Sequence, residues 1–175
     1  MLWKRKKMGI AVMNPEYLIE VVRDTIKAVE YSFLITLSES GQANARLVQH
    51  LQLEESMALW FVTSASSRKV REIRDQSYAT VTFQDDREQA YVTVLGSASV
   101  ETDSDEKQKR WREDWIVFFP AGPQSDDYVL LKFIPSRIEV MNFARHVASE
   151  PLSELRPAVL TKVGRTWRLE QSNLK

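Results

Sequence analysis

The chain has 175 residues, 43% of them apolar and 27% charged, with 24 basic side chains against 24 acidic ones. One ordinary domain accounts for that length, and it is large enough to bury a core without a disulfide or a structural metal. The absence of cysteine excludes thiol catalysis and thiolate zinc clusters, His50 and His146 stand too far apart for a metal-ligand spacing, and a formal charge of zero argues against the phosphate attraction used by nucleic-acid binders.

Residues 1–13 read as a flexible basic terminus and 14–175 as one domain. The basic start ends in an apolar run, Met8 to Met13, shorter than the roughly 7–15 residues of a signal-peptide core. No run approaches the ~20 apolar residues of a membrane helix, so a cytoplasmic protein is the expectation. From Asn14 to Glu30 the pattern is helical, with Asn14 as N-cap, Pro15 in the first turn and Leu18, Val21, Val22, Ile26 and Val29 on one face. The period then changes to strands: Tyr31–Ser38, a turn at 39–42, Ala45–Leu53 and Met57–Thr63. A short helix is expected over Ser66–Asp75 with Val70 and Ile73 inward, then strands over Tyr78–Gln84 and Ala90–Glu101.

A second amphipathic helix is expected over Ser104–Phe118, presenting Trp111, Trp115 and Phe118 on one face and stopped by Pro120 to Pro123. Strands resume at Tyr128–Ile134, Arg137–Phe143, Ala158–Val163 and Thr166–Glu170, the last two around Gly164. Roughly eight short strands and three helices, never alternating as βαβ, define a mainly β fold: an antiparallel barrel with accessory helices.

Chemistry concentrates where the strand Trp60–Thr63 runs through Ser64, Ser66 and Ser67 into a helix that begins Arg68-Lys69. Ser66 or Ser67 as a plain N-cap is the simple account. It leaves two cations at the positive end of a helix, where acids belong. A bound phosphate reverses the sign of that cost, because free backbone N–H groups, hydroxyls and two cations then converge on an anion. Arg46 is a second candidate, reaching the same anion across the sheet or pointing to solvent. Gln89 offers an amide to a heterocycle edge, or is a polar strand-end residue. The Trp115 stripe reads as core or dimer contact, with ring stacking as its competing role. His50 and His146 have no evident acid or nucleophile partner and read as surface or satisfied histidines.

The run Ala45-Arg46-Leu47-Val48, the element from Phe61-Val62-Thr63 through Ser67-Arg68-Lys69, and Glu88-Gln89 before a strand resemble the FMN-binding split barrel of pyridoxamine 5′-phosphate oxidase and its relatives. The helix bearing Trp111 and Trp115, the segment Phe118 to Pro123 and Val129 to Lys132 resemble the shorter general stress protein branch of that superfamily. The resemblance implies a homodimer with FMN at the subunit interface. It implies Arg46 and Lys69 at the FMN phosphate with Ser67 and Arg68 beside them, and Val62 and Thr63 along the ribityl chain or ring edge. Leu47, Val48, Ser64 and Trp115 complete the cofactor-binding set, and Gln89 would meet the flavin from the other chain. Where the oxidase carries a substrate Lys this chain has Leu51, and Met141 replaces its Trp. FMN binding without vitamin B6 oxidation follows, in an oxidoreductase with no assigned acid or base. The alternatives are a flavin-binding stress or redox-sensing protein without turnover, a split barrel for deazaflavin or haem, and an interaction module with no cofactor.

Overall fold

The computed structural model describes residues 13–148 and 155–170. The expected flexible terminus therefore lies outside the described residues except for Met13, which packs half-buried against the main core. Helix α1 (Pro15–Ala28) starts where its signals place it: the Asn14 side chain accepts from the Tyr17 N–H at 2.8 Å, and Glu16 and Lys27 complement the helix dipole. Its apolar face, Leu18, Val21, Val22 and Ile26, is fully buried against the barrel. Each such side chain contributes about 1.5–3 kcal/mol.

Strands β1 (Tyr31–Leu37), β2 (Ala43–Gln49), β3 (Leu59–Ser64), β4 (Tyr78–Asp85), β5 (Ala90–Glu101), β6 (Tyr128–Asn142), β7 (Ala158–Val163) and β8 (Thr166–Leu169) form one antiparallel sheet, the mainly β architecture expected. Its order is β2-β1-β4-β5-β6-β7-β8, with β3 also paired to β6. A bridge between His50 and Phe61 and a hydrogen bond from the Leu51 N–H to the Trp60 carbonyl (2.8 Å) join the end of β2 to β3, which closes the barrel. Strand β6 divides its pairing, Tyr128–Phe133 against β3 and Arg137–Val140 against β7.

The sequence pattern reads this region as two strands, Tyr128–Ile134 and Arg137–Phe143. The chain instead runs as one strand of 15 residues, with the register against β5 shifting between Leu95 and Gly96. The bulge absorbs Pro135, and only glycine fits opposite it: a Cβ on Gly96 would lie 2.2 Å from the Ile134 carbonyl oxygen.

Helix α2 (Arg68–Asp75) lies between β3 and β4, with Val70 and Ile73 inward as expected. The long helix expected over Ser104–Phe118 is two pieces, α3 (Ser104–Arg110) and a 3₁₀ turn, η1 (Glu113–Val117), joined through extended backbone at Trp111 and Arg112. The break redirects the aromatic stripe. Trp115 and Phe119 are buried while Phe118 is 71% exposed, so the inward residue after Trp115 is Phe119. Trp111, Trp115 and Phe119 all pack around Tyr128, with ring centroids 5.1–6.2 Å from it.

This aromatic cluster covers the outer face of β3 and β6, so Trp60, Leu130 and Tyr128 are as buried as the barrel-facing Leu59, Phe61 and Leu131. The Arg110 guanidinium lies 3.7 Å from the centre of the Trp60 ring and also donates to Glu54 (2.8 Å), fastening α3 down. Among the described residues no helix is long and apolar enough to cross a membrane.

Candidate functional site

The seam where β2 meets β3 opens into a cavity of about 490 Å³. Leu47, Val48, Gln49 and Leu51 line it from the β2 side and Val62 and Ser64 from β3. Trp115, Phe118 and Phe119 form its aromatic wall, while Lys69 and Asp127 supply its charges. Apolar and aromatic side chains thus make up most of its lining, with a hydroxyl and two charges beside them, the composition of a small-molecule site.

Six of the residues singled out in the sequence line this cavity: Leu47, Val48, Val62, Ser64, Lys69 and Trp115. Arg46, Thr63, Ser67 and Arg68 are their chain neighbours on β2, β3 and α2 but do not line it. Gln89 lies elsewhere, exposed in the β4–β5 turn with φ of 50°. Its neighbour Ala90 pairs with Asn142, at the opposite end of β6 from the Ser64–Tyr128 pair beside the cavity, and Gln89 is not among the cavity's lining residues.

The charged end has an unusual balance. Ser67 stands at the N-cap of α2, yet its side chain makes no capping bond; its hydroxyl pairs with Thr63 Oγ1 at 3.2 Å. No acid occupies the first turn, and the backbone N–H groups of Arg68 and Lys69 have no acceptor among the described residues. The Lys69 ammonium is half-buried with no ion-pair partner among those residues. Burial, and then the nearby Arg46 charge, lower its pKa from the usual lysine value.

Arg46, in contrast, is paired. Its Nη2 donates to Glu72 Oε2 at 2.8 Å, and its Nη1 donates to Thr36 Oγ1 (2.5 Å) and to the Leu34 carbonyl (3.3 Å). Burial pushes the Glu72 carboxyl up, but hydrogen bonds from Thr36, Arg46 and Asn44 together with the Arg46 charge outweigh it and hold the group below its ordinary value. Arg68 is exposed, with its Nε 3.5 Å from Glu72 Oε1.

Sequence reasoning passed over Glu72 and Asp127. Glu72 falls four residues after Arg68, a spacing that reads as a surface ion pair, and only tertiary structure buries it. Asp127 accepts from Ser64 Oγ at 2.6 Å, and its carbonyl accepts from the Ala65 N–H at 2.8 Å, so it fixes the hydroxyl-rich turn. No sequence signal joins residues so far apart. Of the histidines, His146 is exposed, while His50 is half-buried against Phe83, its buried Nδ1 without a hydrogen-bond partner among the described residues. Burial lowers the His50 pKa and keeps the ring neutral near pH 7.

An antiparallel barrel with a cavity at the seam of β2 and β3, lined by one lysine without an ion-pair partner among the described residues, defines a class by its fold: the split barrels. The chain belongs to the pyridoxamine 5′-phosphate oxidase like family, whose model matches residues 18–159. Among solved structures it is similar to a Clostridium acetobutylicum protein related to general stress protein 26 of Bacillus subtilis, of the pyridoxinephosphate oxidase family. That likeness has a TM-score of 0.65 and 20% identity over 75% of this chain and 92% of the other. A pyridoxamine 5′-phosphate oxidase-related, FMN binding protein of Nostoc punctiforme matches at TM-score 0.62 and 17% identity, covering 95% of this chain and all of that one. A heme binding protein of Mycobacterium smegmatis matches at TM-score 0.53 and 17% identity, over 68% of this chain and 51% of the other. No curated protein matches the chain.

Proposed function

We propose that this protein is a homodimeric, FMN-dependent oxidoreductase that lacks pyridoxamine phosphate oxidase activity. The observation that carries the reading is Lys69, a half-buried ammonium at the mouth of an uncapped helix N-terminus, beside Arg46 and without a counter-ion among the described residues. A phosphate monoester supplies the missing charge and the missing acceptors together.

The residues present fit FMN along its whole length. Arg46, Lys69 and Ser67, with Arg68 and the first N–H groups of α2, would hold the phosphate. Ser64 and Asp127 offer hydrogen-bonding partners to the ribityl hydroxyls, and Leu47, Val48, Val62, Thr63 and Trp115 would flank the ring. Bound there, FMN supplies hydride or electron transfer, and the protein's part is to anchor the phosphate, orient the ring and exclude water. Leu51 stands in the cavity wall where the oxidase would present a substrate lysine, so the wall offers no cation to a second phosphate.

The outward face of β1 supports a second subunit. Strand β1 turns Ser32, Leu34 and Thr36 into the barrel and Tyr31 and Phe33 outward, each of the latter about half-exposed (50% and 51%). Phe33 is paired across the sheet with Leu47, 58% exposed, which also lines the cavity. A second copy of this chain on that face would cover the patch and bring the partner subunit's Gln89 to the flavin.

A flavin-binding protein without turnover is the competing reading, favoured by the apolar end of the cavity, where Leu47, Leu51, Val62, Trp115, Phe118 and Phe119 offer no proton donor. Haem is disfavoured, because no His or Tyr is among the lining residues. Calorimetric titration with FMN and with haem tests the cofactor, and anaerobic bleaching of bound flavin by reduced nicotinamide tests turnover. Loss of FMN binding on replacing Arg68 and Lys69 by Ala is expected; unchanged binding in that variant overturns the phosphate site.

A further inference from the structure

Glu72 takes no part in the binding scheme above, yet its carboxylate, 5% exposed, is the hub of the charged end. Asn44 Nδ2 donates to its Oε1 at 2.7 Å, Arg46 Nη2 to its Oε2 at 2.8 Å, and the Thr36 hydroxyl to Oε2 as well. Thr36 in turn accepts from Arg46 Nη1, so Glu72 grips the guanidinium once directly and once through the hydroxyl, while the Leu34 carbonyl holds Nη1 from the main chain.

Those contacts use one N–H of Nη2 and both of Nη1. The Nε–H and the second Nη2–H have no acceptor among the described residues. They form one edge of the planar fork, the kind of edge that grips a phosphate with two parallel hydrogen bonds.

We propose that Glu72 is a positioning residue for phosphate recognition: it fixes the Arg46 guanidinium so that its Nε/Nη2 edge stays available to the phosphate monoester of the ligand. The charge balance permits this. Arg46, Arg68 and Lys69 outnumber the Glu72 and Asp127 carboxylates, so the end of the site stays attractive to an anion. Glu72 also offsets the repulsion between Arg46 and Lys69 when the ligand is away. A guanidinium already held in place loses less rotamer freedom on binding than a loose one.

This inference rests on the flavin-phosphate reading, and the experiment separates the two. Dissociation constants for FMN and riboflavin are measured for the wild type, Glu72→Gln, Glu72→Ala, Arg46→Ala and the double alanine variant. The ratio of the two constants isolates the phosphate. In the wild type FMN binds more tightly than riboflavin. Glu72→Ala is expected to cut that preference at least about tenfold with riboflavin affinity unchanged, and to add nothing once Arg46 is gone. Glu72→Gln, which keeps one carbonyl acceptor for Arg46, falls between and carries the test if the alanine variant does not fold. A preference that rises in either variant shows that Glu72 merely opposes the anion, and equal losses for both flavins show a purely structural role; either overturns the proposal. A wild-type preference that Glu72 substitutions leave unchanged sinks this proposal alone. No wild-type preference sinks the flavin-phosphate reading and this one with it.

Discussion

Lys69 and Glu72 are separated by one turn of α2 and have opposite relations to their surroundings. Lys69→Met removes a desolvated cation that has no described partner, so the ligand-free protein should melt no lower than the wild type. FMN affinity should fall by about 1.5–3 kcal/mol, roughly ten- to hundredfold, in calorimetry. The pH dependence has a definite sign. The Lys69 pKa is already lowered, and a phosphate favours the ammonium, so FMN affinity should decline as pH rises through that lowered value and flatten in Lys69→Met. For Glu72 the folded-state pKa lies below 4.5, so its stabilising contribution is present above that pH and lost as pH falls through the lowered value. Acid unfolding below pH 4.5 should therefore be less steep in Glu72→Gln than in the wild type, by circular dichroism. Of this pair the sequence displayed Lys69, because cations at a helix start break a local rule. It hid Glu72, because the donors that trap it come from strands 26 to 36 residues away.

Local patterns were legible wherever one face of an element decides its structure. The start of α1, the inward Val70 and Ile73 of α2, and the β7–β8 hairpin about Gly164 (φ 61°) all follow from capping, period and turn chemistry. Reading failed where tertiary contacts rerouted the chain. Trp111 and Trp115 stand four residues apart, a helical spacing, but both reach Tyr128 from two separate pieces of backbone, Trp111 edge-on and Trp115 tilted. The bulge in β6 was equally hidden, since the room it needs opposite Pro135 is left by Gly96 on another strand. That contact makes a prediction. Gly96→Ala places a methyl against the Ile134 carbonyl and also 2.9 Å from Phe133 and Pro135, so it should cost about 1–3 kcal/mol or more in chemical denaturation.

At the scale of the molecule, one face of the barrel is finished and one is not. Trp111, Trp115 and Phe119, in and around η1, cover β3 and β6, whereas Tyr31, Phe33 and Leu47 remain open beside the cavity mouth with Phe118. Phe33→Glu puts a charge at the centre of that patch while leaving the barrel interior untouched. Under the proposed dimer, sedimentation should then show a monomer that retains its fold and loses flavin affinity. The most direct test of the whole account is the absorbance spectrum of the purified protein after saturation with FMN and gel filtration. Flavin retained at about one per chain, in a particle of dimer size, is the predicted result. Protein that emerges colourless after saturation contradicts the account, and the unpaired Lys69 would then need a different anion.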